Sequence, residues 1–187
     1  DVGATVGEDV SESTGDVAED TKPAIKYEWC TGSTQFSYYP LDGSVLGVFP
    51  DDYYTLTDDQ ASTGLRVNIT EENAPWIADI PGTFGQNVAE LNSLDGFGTA
   101  GGIILRFSAA VSGLPSGFEQ SVSEDMVQLW ELSETPRRRP FEVTYTDDGE
   151  TAILWPMVPL TPKTLHGVLV TQELLANDGE CIAPSPP

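Results

Sequence analysis

From Ile25 onward the sequence is a succession of short runs rich in β-branched and aromatic residues, each closed off by Gly, Pro, Asp or Asn. "IKYEW", "SVLGVF", "YYTLT" and "LRVNI" come first, and "GIILRFSAAV", "MVQLWEL", "FEVTYT", "TAILWPM" and "GVLVTQEL" follow. Side chains that alternate in and out over a few residues, then meet a turn former, specify strands rather than helices. Strands at this spacing predict an all-β fold built as an antiparallel sandwich. "YTDDGETAILW" reads as a hairpin, because Asp148-Gly149 accepts the positive φ of a tight turn. One stretch breaks the pattern: in "FGQNVAELNSL", Val88, Leu91 and Leu94 fall on one side of a short helix. No repeat of 20–50 residues is evident.

Residues 1–24 are different. They are rich in Asp, Glu, Ser, Thr and Gly and contain no aromatic residue. Such a segment buries too little apolar surface to offset its ordering entropy, so a flexible acidic leader is expected. The domain division that follows is 1–24 leader, 25–100 β-rich N-terminal region packing on the sandwich, and 101–187 sandwich. The leader resembles the Asp/Glu/Thr-rich linkers that follow the lipidated cysteine of bacterial surface lipoproteins. That implies an extracellular or cell-surface location, with a lipid anchor on a segment removed from, or absent from, this sequence. An acidic tail without a role is the simpler reading. A third is that Val2, Val6, Val10 and Val17 let the leader pair with another subunit's open edge strand.

Charge narrows the partners. The chain carries a formal net charge of −22, and residues 1–20 hold seven acidic groups and no basic one. Nucleic acid is excluded as an expected partner, since phosphate binding needs a basic face. No stretch approaches the roughly 20 apolar residues that cross a bilayer, and no basic and apolar signal pattern opens the chain. Cys30 and Cys181 flank the folded region. In an oxidising compartment they form one disulfide tying its ends together; the alternative is two buried free thiols.

The candidate chemistry is sparse. His166, in "PLTPKTLHGVLVT", is the only histidine. It lies in phase with Val168 and Val170, just after the turn around Pro162 and Thr164. Its place matches that of the ring that opens a strand in a tyrosine corner and bonds back to nearby backbone. A structural role for His166 is therefore expected, not a catalytic one. There is no G-x-S-x-G elbow, and "GLPSG" has Pro115 where the serine would stand. No catalytic residue or cofactor is expected. The carboxylate pairs Asp51-Asp52, Asp58-Asp59, Glu71-Glu72, Glu124-Asp125 and Asp147-Asp148 sit in turn contexts that favour Asp for local bonding. Of these, Asp51, Asp52, Asp58 and Asp59 flank "YYTLT" and are the candidates for Ca²⁺, against a solvated surface as the alternative. "TPRRRP" reads as an exposed loop. Arg137, Arg138 and Arg139 there are candidates for contact with an acidic patch on a neighbouring subunit. Asn68 opens an N-glycosylation sequon. Tyr27, Trp29, Phe36, Tyr38, Tyr39, Phe49, Tyr53 and Tyr54 either form a platform for glycans or a protein, or pack inward.

Two resemblances follow from these strings. Residues from about Gly102 to Gly179 resemble a bacterial Ig-like domain of S-layer and other surface proteins: "IILRFSAAV" is similar to its first strand, "VQLWEL" to its next, "TAILWPMVPLTP" to its central strand and turn, and "HGVLVTQELLANDG" to its last. The chain departs from that pattern at His166, where the family carries Tyr. "VFPDDYYTLTDDQASTGLRVNI" with "LNSLDGFGTAGGIILRFSAAV" resembles the N-terminal region of secreted bacterial lipase-like and esterase-like proteins. There a hydrolase domain follows a segment like "IAPSPP". The resemblances imply an Ig-like antiparallel β-sandwich with a β-rich extension. Its role would be a non-catalytic accessory or spacer module before a C-terminal hydrolase domain. The alternatives are a surface protein that self-assembles into fibres or a layer, and a glycan- or Ca²⁺-binding module.

Overall fold

The structure, a computed structural model, describes residues 47–75, 77, 87–146 and 149–183. The leader 1–24, "IKYEW", Cys30, the aromatic residues from Tyr27 to Tyr39 and the Asp147-Asp148 pair lie outside the described residues. In chain order the strands are β1 (Thr55–Thr57), β2 (Leu65–Val67), β3 (Ile103–Arg106), β4 (Val127–Glu131), β5 (Arg137–Arg138), β6 (Phe141–Tyr145), β7 (Thr151–Pro156) and β8 (His166–Val170). Two four-residue helices accompany them, α1 (Val88–Leu91) and α2 (Gln120–Ser123). The described chain is thus mostly strand in antiparallel sheets, an all-β fold.

β1 and β2 form a hairpin with Thr55 opposite Val67. Its turn is held by sequence-local bonds: Asp58 accepts from the Gln60 amide and pairs with Arg66, and Gly64 supplies a φ of +79°. Tyr54, Val67, Ile69 and Ala74 form a small buried cluster beneath it, with Phe49, Ile77 and Phe97 packed alongside.

The other strands make two three-stranded sheets, in the orders β3-β7-β6 and β5-β4-β8. Their alternating inward residues meet in one cluster: Ile103 and Leu105 from β3, Ala152 and Leu154 from β7, Phe141 from β6, and Val127 and Leu129 from β4. β6 and β7 pair antiparallel as the expected hairpin, with Gly149 at φ +71° in the connection. Phe49 joins the two regions, exchanging backbone hydrogen bonds with Ile104 of β3.

Three details differ from the sequence expectation. Residues 137–138 are not a loop but the strand β5, paired to the end of β4. The expected helix is only one turn long, because Asn92 bonds both the N–H and the C=O of Ile69 and turns the chain back onto the hairpin. The second helix, α2, arises where Ser121 is fully buried. Its hydroxyl donates to the Gly117 carbonyl and accepts from the Phe141 amide.

Candidate functional site

The concentrated polar chemistry of the described residues gathers around Glu131, the last residue of β4. Strand alternation places it on the same face as Val127 and Leu129, so a carboxylate points where an apolar side chain would be expected. Its side chain is only 5% exposed. A buried carboxylate must be paired and hydrogen-bonded, and the neighbouring strands supply the partners. Arg137, directly across in β5, binds it with two bonds of 3.1 Å from Nε and Nη2. The Thr161 hydroxyl donates to Oε2 at 2.7 Å. Arg139 Nη1 lies 3.6 Å from the same oxygen. The Thr161 hydroxyl and then the Arg137 guanidinium hold the carboxyl below its ordinary value of 4.5, against the effect of desolvation.

His166 opens β8 opposite Glu131. Its Nε2 lies 3.9 Å from Glu131 Oε2 and has no hydrogen-bond partner. That separation is too long for a hydrogen bond. Burial pushes the imidazole below its ordinary value of 6.5. A bond with the Thr164 backbone and the charge of Glu131 oppose that shift, and Arg139 adds to it. The ring stands at the opening of β8, partly buried beside Glu131. A Ser-His-Asp relay needs the imidazole between hydroxyl and carboxylate. Here the carboxylate takes the Thr161 hydroxyl directly, and the imidazole stands to one side.

A groove of about 980 Å³ adjoins this cluster. Its walls include Ile103 and Leu105 of β3, Leu129 of β4, Val168 and Val170 of β8, and Ile182. His166, Thr161 and Lys163 also line it.

The remaining candidates are dispersed. Asp51 caps the short 3-10 turn Asp52–Tyr54 by accepting from the Tyr53 amide. Asp58 is held below the usual carboxylate range, first by its hydrogen bond from Arg66 and then by that from the Gln60 amide. Among the described residues, Asp51, Asp52, Asp58 and Asp59 are not brought together in any group of three or more His, Cys, Asp or Glu able to hold a metal ion. The three arginines, expected as loop contacts for a neighbour, have partners in their own chain. Arg137 binds Glu131, and Arg139 also donates to the Pro159 carbonyl at 2.9 Å. Arg138 pairs with Asp125, donates to the carbonyls of Val122 and Glu124, and lies over the Trp130 ring. Asn68 is half-buried beside the hairpin, and its carbonyl accepts from Asn73. In the small cluster Phe49 packs edge-on against Phe97 and tilted against Tyr54, while Tyr53 is 46% exposed. Cys181 has no free thiol.

Glu131 was missed in reading the sequence. The signal was available: an acidic residue in phase with Val127 and Leu129, followed six residues later by Arg137. No helix among the described residues is long and apolar enough to cross a membrane. Compared with known proteins, the chain matches no family model, no curated sequence and no solved structure.

Proposed function

We propose that this chain is a non-catalytic, Ig-like β-sandwich module of an extracellular or cell-surface protein. It acts as the accessory or spacer part that precedes a lipase- or esterase-like hydrolase domain. The observation that carries this reading is the arrangement around Glu131. The chain's one imidazole is committed to the opening of β8, and the adjacent hydroxyl and carboxylate bond each other instead of flanking it. Two sheets feeding a single core support the sandwich, and the acidic composition suits a surface exposed to solvent. A Cys30–Cys181 disulfide belongs to the same proposal, since it requires an oxidising compartment.

The test is ester hydrolysis by the purified chain on short and long acyl p-nitrophenyl esters. The expected rate equals that of buffer, unchanged by His166→Phe. Hydrolysis above background that His166→Phe or a single serine substitution abolishes would overturn the reading.

A further inference from the structure

In the first sheet, Ile103 and Leu105 of β3, Leu154 of β7 and Phe141 of β6 face the core. Strand alternation therefore places Arg106, Trp155, Glu142 and Thr144 on the outer face. Trp155, in the central strand, lies across its neighbours there. Its Nε1–H donates to Thr144 Oγ1 of β6 at 2.9 Å. Its other edge reaches the opposite side of the sheet: a Cβ on Gly102, just before β3, would stand 3.1 Å from Cζ3 and Cη2 of the ring. Glycine at that position leaves the six-membered ring its room. An indole tied to β6 at one edge and seated by Gly102 at the other has one face down and one face open, and Trp155 is 42% exposed. Two charged groups share this face. Glu142 is directly opposite Trp155 in β6 and is exposed, and Arg106 ends β3 and is half-buried. Among the described residues neither side chain has a hydrogen-bond or ion-pair partner.

We infer that this face binds a neutral oligosaccharide, one pyranose stacking on Trp155 and the hydroxyls of the chain bonding to Glu142 and Arg106. The face of an aromatic ring is electron-rich, and the polarised C–H groups on the flat side of a pyranose complement it. A tryptophan that anchors a protein partner fills a pocket, and its N–H finds a partner there. Here the N–H is already taken by Thr144, so the ring offers only its open face. The two charges decide the charge of the ligand. A cation meets Arg106, and an anion meets Glu142 on a chain of net charge −22. A hydroxyl both donates to a carboxylate and accepts from a guanidinium, so a neutral sugar satisfies the two together. Arg106 lies four residues beyond Gly102, or about 13 Å along a strand that rises about 3.3 Å per residue. More than one sugar ring is therefore needed to reach from Trp155 to Arg106. The platform is not among the aromatic residues that cluster between Tyr27 and Tyr54. The inference does not depend on the accessory-module reading, because it concerns one sheet face and not what the module precedes.

NMR titration of the full, isotope-labelled chain with cellohexaose, xylohexaose, mannohexaose and chitohexaose tests it. With at least one of these sugars the indole N–H signal of Trp155 is expected to shift saturably, and further than those of the other three tryptophans. Trp155→Ala, which removes the platform, should weaken binding by about tenfold or more, as loss of a stacking ring does. Glu142→Ala should weaken it severalfold, and Trp130→Phe, on the second sheet, should leave it unchanged. No shift of the Trp155 indole with any of the sugars overturns the proposal, and that measurement needs no variant to fold. Undiminished binding by Trp155→Ala overturns it too. Tighter binding of a glucosamine or galacturonate hexamer than of the neutral sugars shows that charge selects the ligand and does the same. Broadening of the Trp155 indole that grows with protein concentration in the absence of sugar assigns the face to a second copy and also overturns it.

Discussion

The two three-stranded sheets share one core but close it differently. In the first, the central strand β7 places Ala152 and Leu154 inward, and both are fully buried between β3 and β6. In the second, the central strand β4 begins the same way with Val127 and Leu129, then ends on the carboxylate of Glu131. The first sheet's inner face carries no charged group; apolar packing holds it, with one hydrogen bond from the Leu114 amide to Tyr145 Oη at the end of β6. The second relies on apolar packing at one end and on a charged, hydrogen-bonded cluster at the other. The apolar end adds stability with little directional demand. The charged end adds geometric demand, because a buried carboxylate with two arginines nearby tolerates only one arrangement of β4, β5 and β8.

The largest effects should come from the shared apolar centre. Leu154→Ala is expected to destabilise by about 2–5 kcal/mol in urea unfolding, the usual range for a fully buried leucine. Leu129→Ala, in the second sheet, falls in the same range if the groove it borders is filled. A markedly smaller loss at Leu129 would mean that its cavity collapses or hydrates through an open groove, sharpening the contrast between the sheets.

Glycine positions separate the sheets next. A Cβ on Gly102 would lie 2.6 Å from Ile153 Cγ2 and 3.1 Å from two Trp155 ring atoms. Gly102→Ala therefore overpacks the first sheet's outer face and should cost about 1–3 kcal/mol. On the second sheet, a Cβ at Gly167 meets only Leu132 Cδ1 at 3.4 Å. Gly167→Ala should stay within about 0.5 kcal/mol of wild type. Equal losses at the two sites would break the comparison.

The pH dependence belongs to the second sheet. Glu131 has a folded-state pKa below its ordinary 4.5, so the stability it contributes is present above that value and is lost as pH falls through the folded pKa. His166 is depressed as well. The unfolded chain takes up its proton first, and stability declines as pH falls below 6.5 toward the folded value. Both slopes have the same sign. His166→Phe should flatten the part of the melting-temperature profile just below pH 6.5, and Glu131→Gln the part below pH 4.5, at the expense of a lower melting temperature near neutrality. Leu154→Ala should shift the whole profile down without changing its slope. A Glu131→Gln profile parallel to wild type would show that the carboxylate cluster does not carry the acid sensitivity.

How much of this was legible follows from the physics of each part. The strands of the two sheets could be read because each alternates over four to six residues between turn formers, a local property. β5 could not, since two arginines carry no apolar period; they pair because Glu131 waits across the ladder, a contact that only tertiary structure creates. The extent of α1 was misread for a similar reason: Val88, Leu91 and Leu94 have helical spacing, but Asn92 finds its bonds on Ile69 rather than in a continuing helix. His166 was placed correctly at the start of its strand because the Pro162–Thr164 turn and the phase with Val168 are both local. The carboxylate opposite it went unnoticed, since one acidic residue at the end of an apolar strand looks like the strand's exit into solvent.

The smallest effect probes how β8 is delivered to that carboxylate. Lys163 adopts a φ of +57° in the turn before His166, a conformation that disfavours an L-residue by roughly 1–2 kcal/mol. Glycine would remove that strain, while losing about 0.4–1 kcal/mol through greater freedom in the unfolded chain. Lys163→Gly should therefore stabilise by less than about 1 kcal/mol, since the two effects oppose. Lys163 also sits close enough to Asp95 to help hold its carboxyl low, behind the larger effect of the Ser62 hydroxyl. A variant clearly less stable than wild type in urea unfolding would mean that this long-range attraction, not the backbone, governs the turn. The second sheet would then be aligned by charge at its approach as well as at Glu131, making its contrast with the apolar first sheet wider than the inner faces alone suggest.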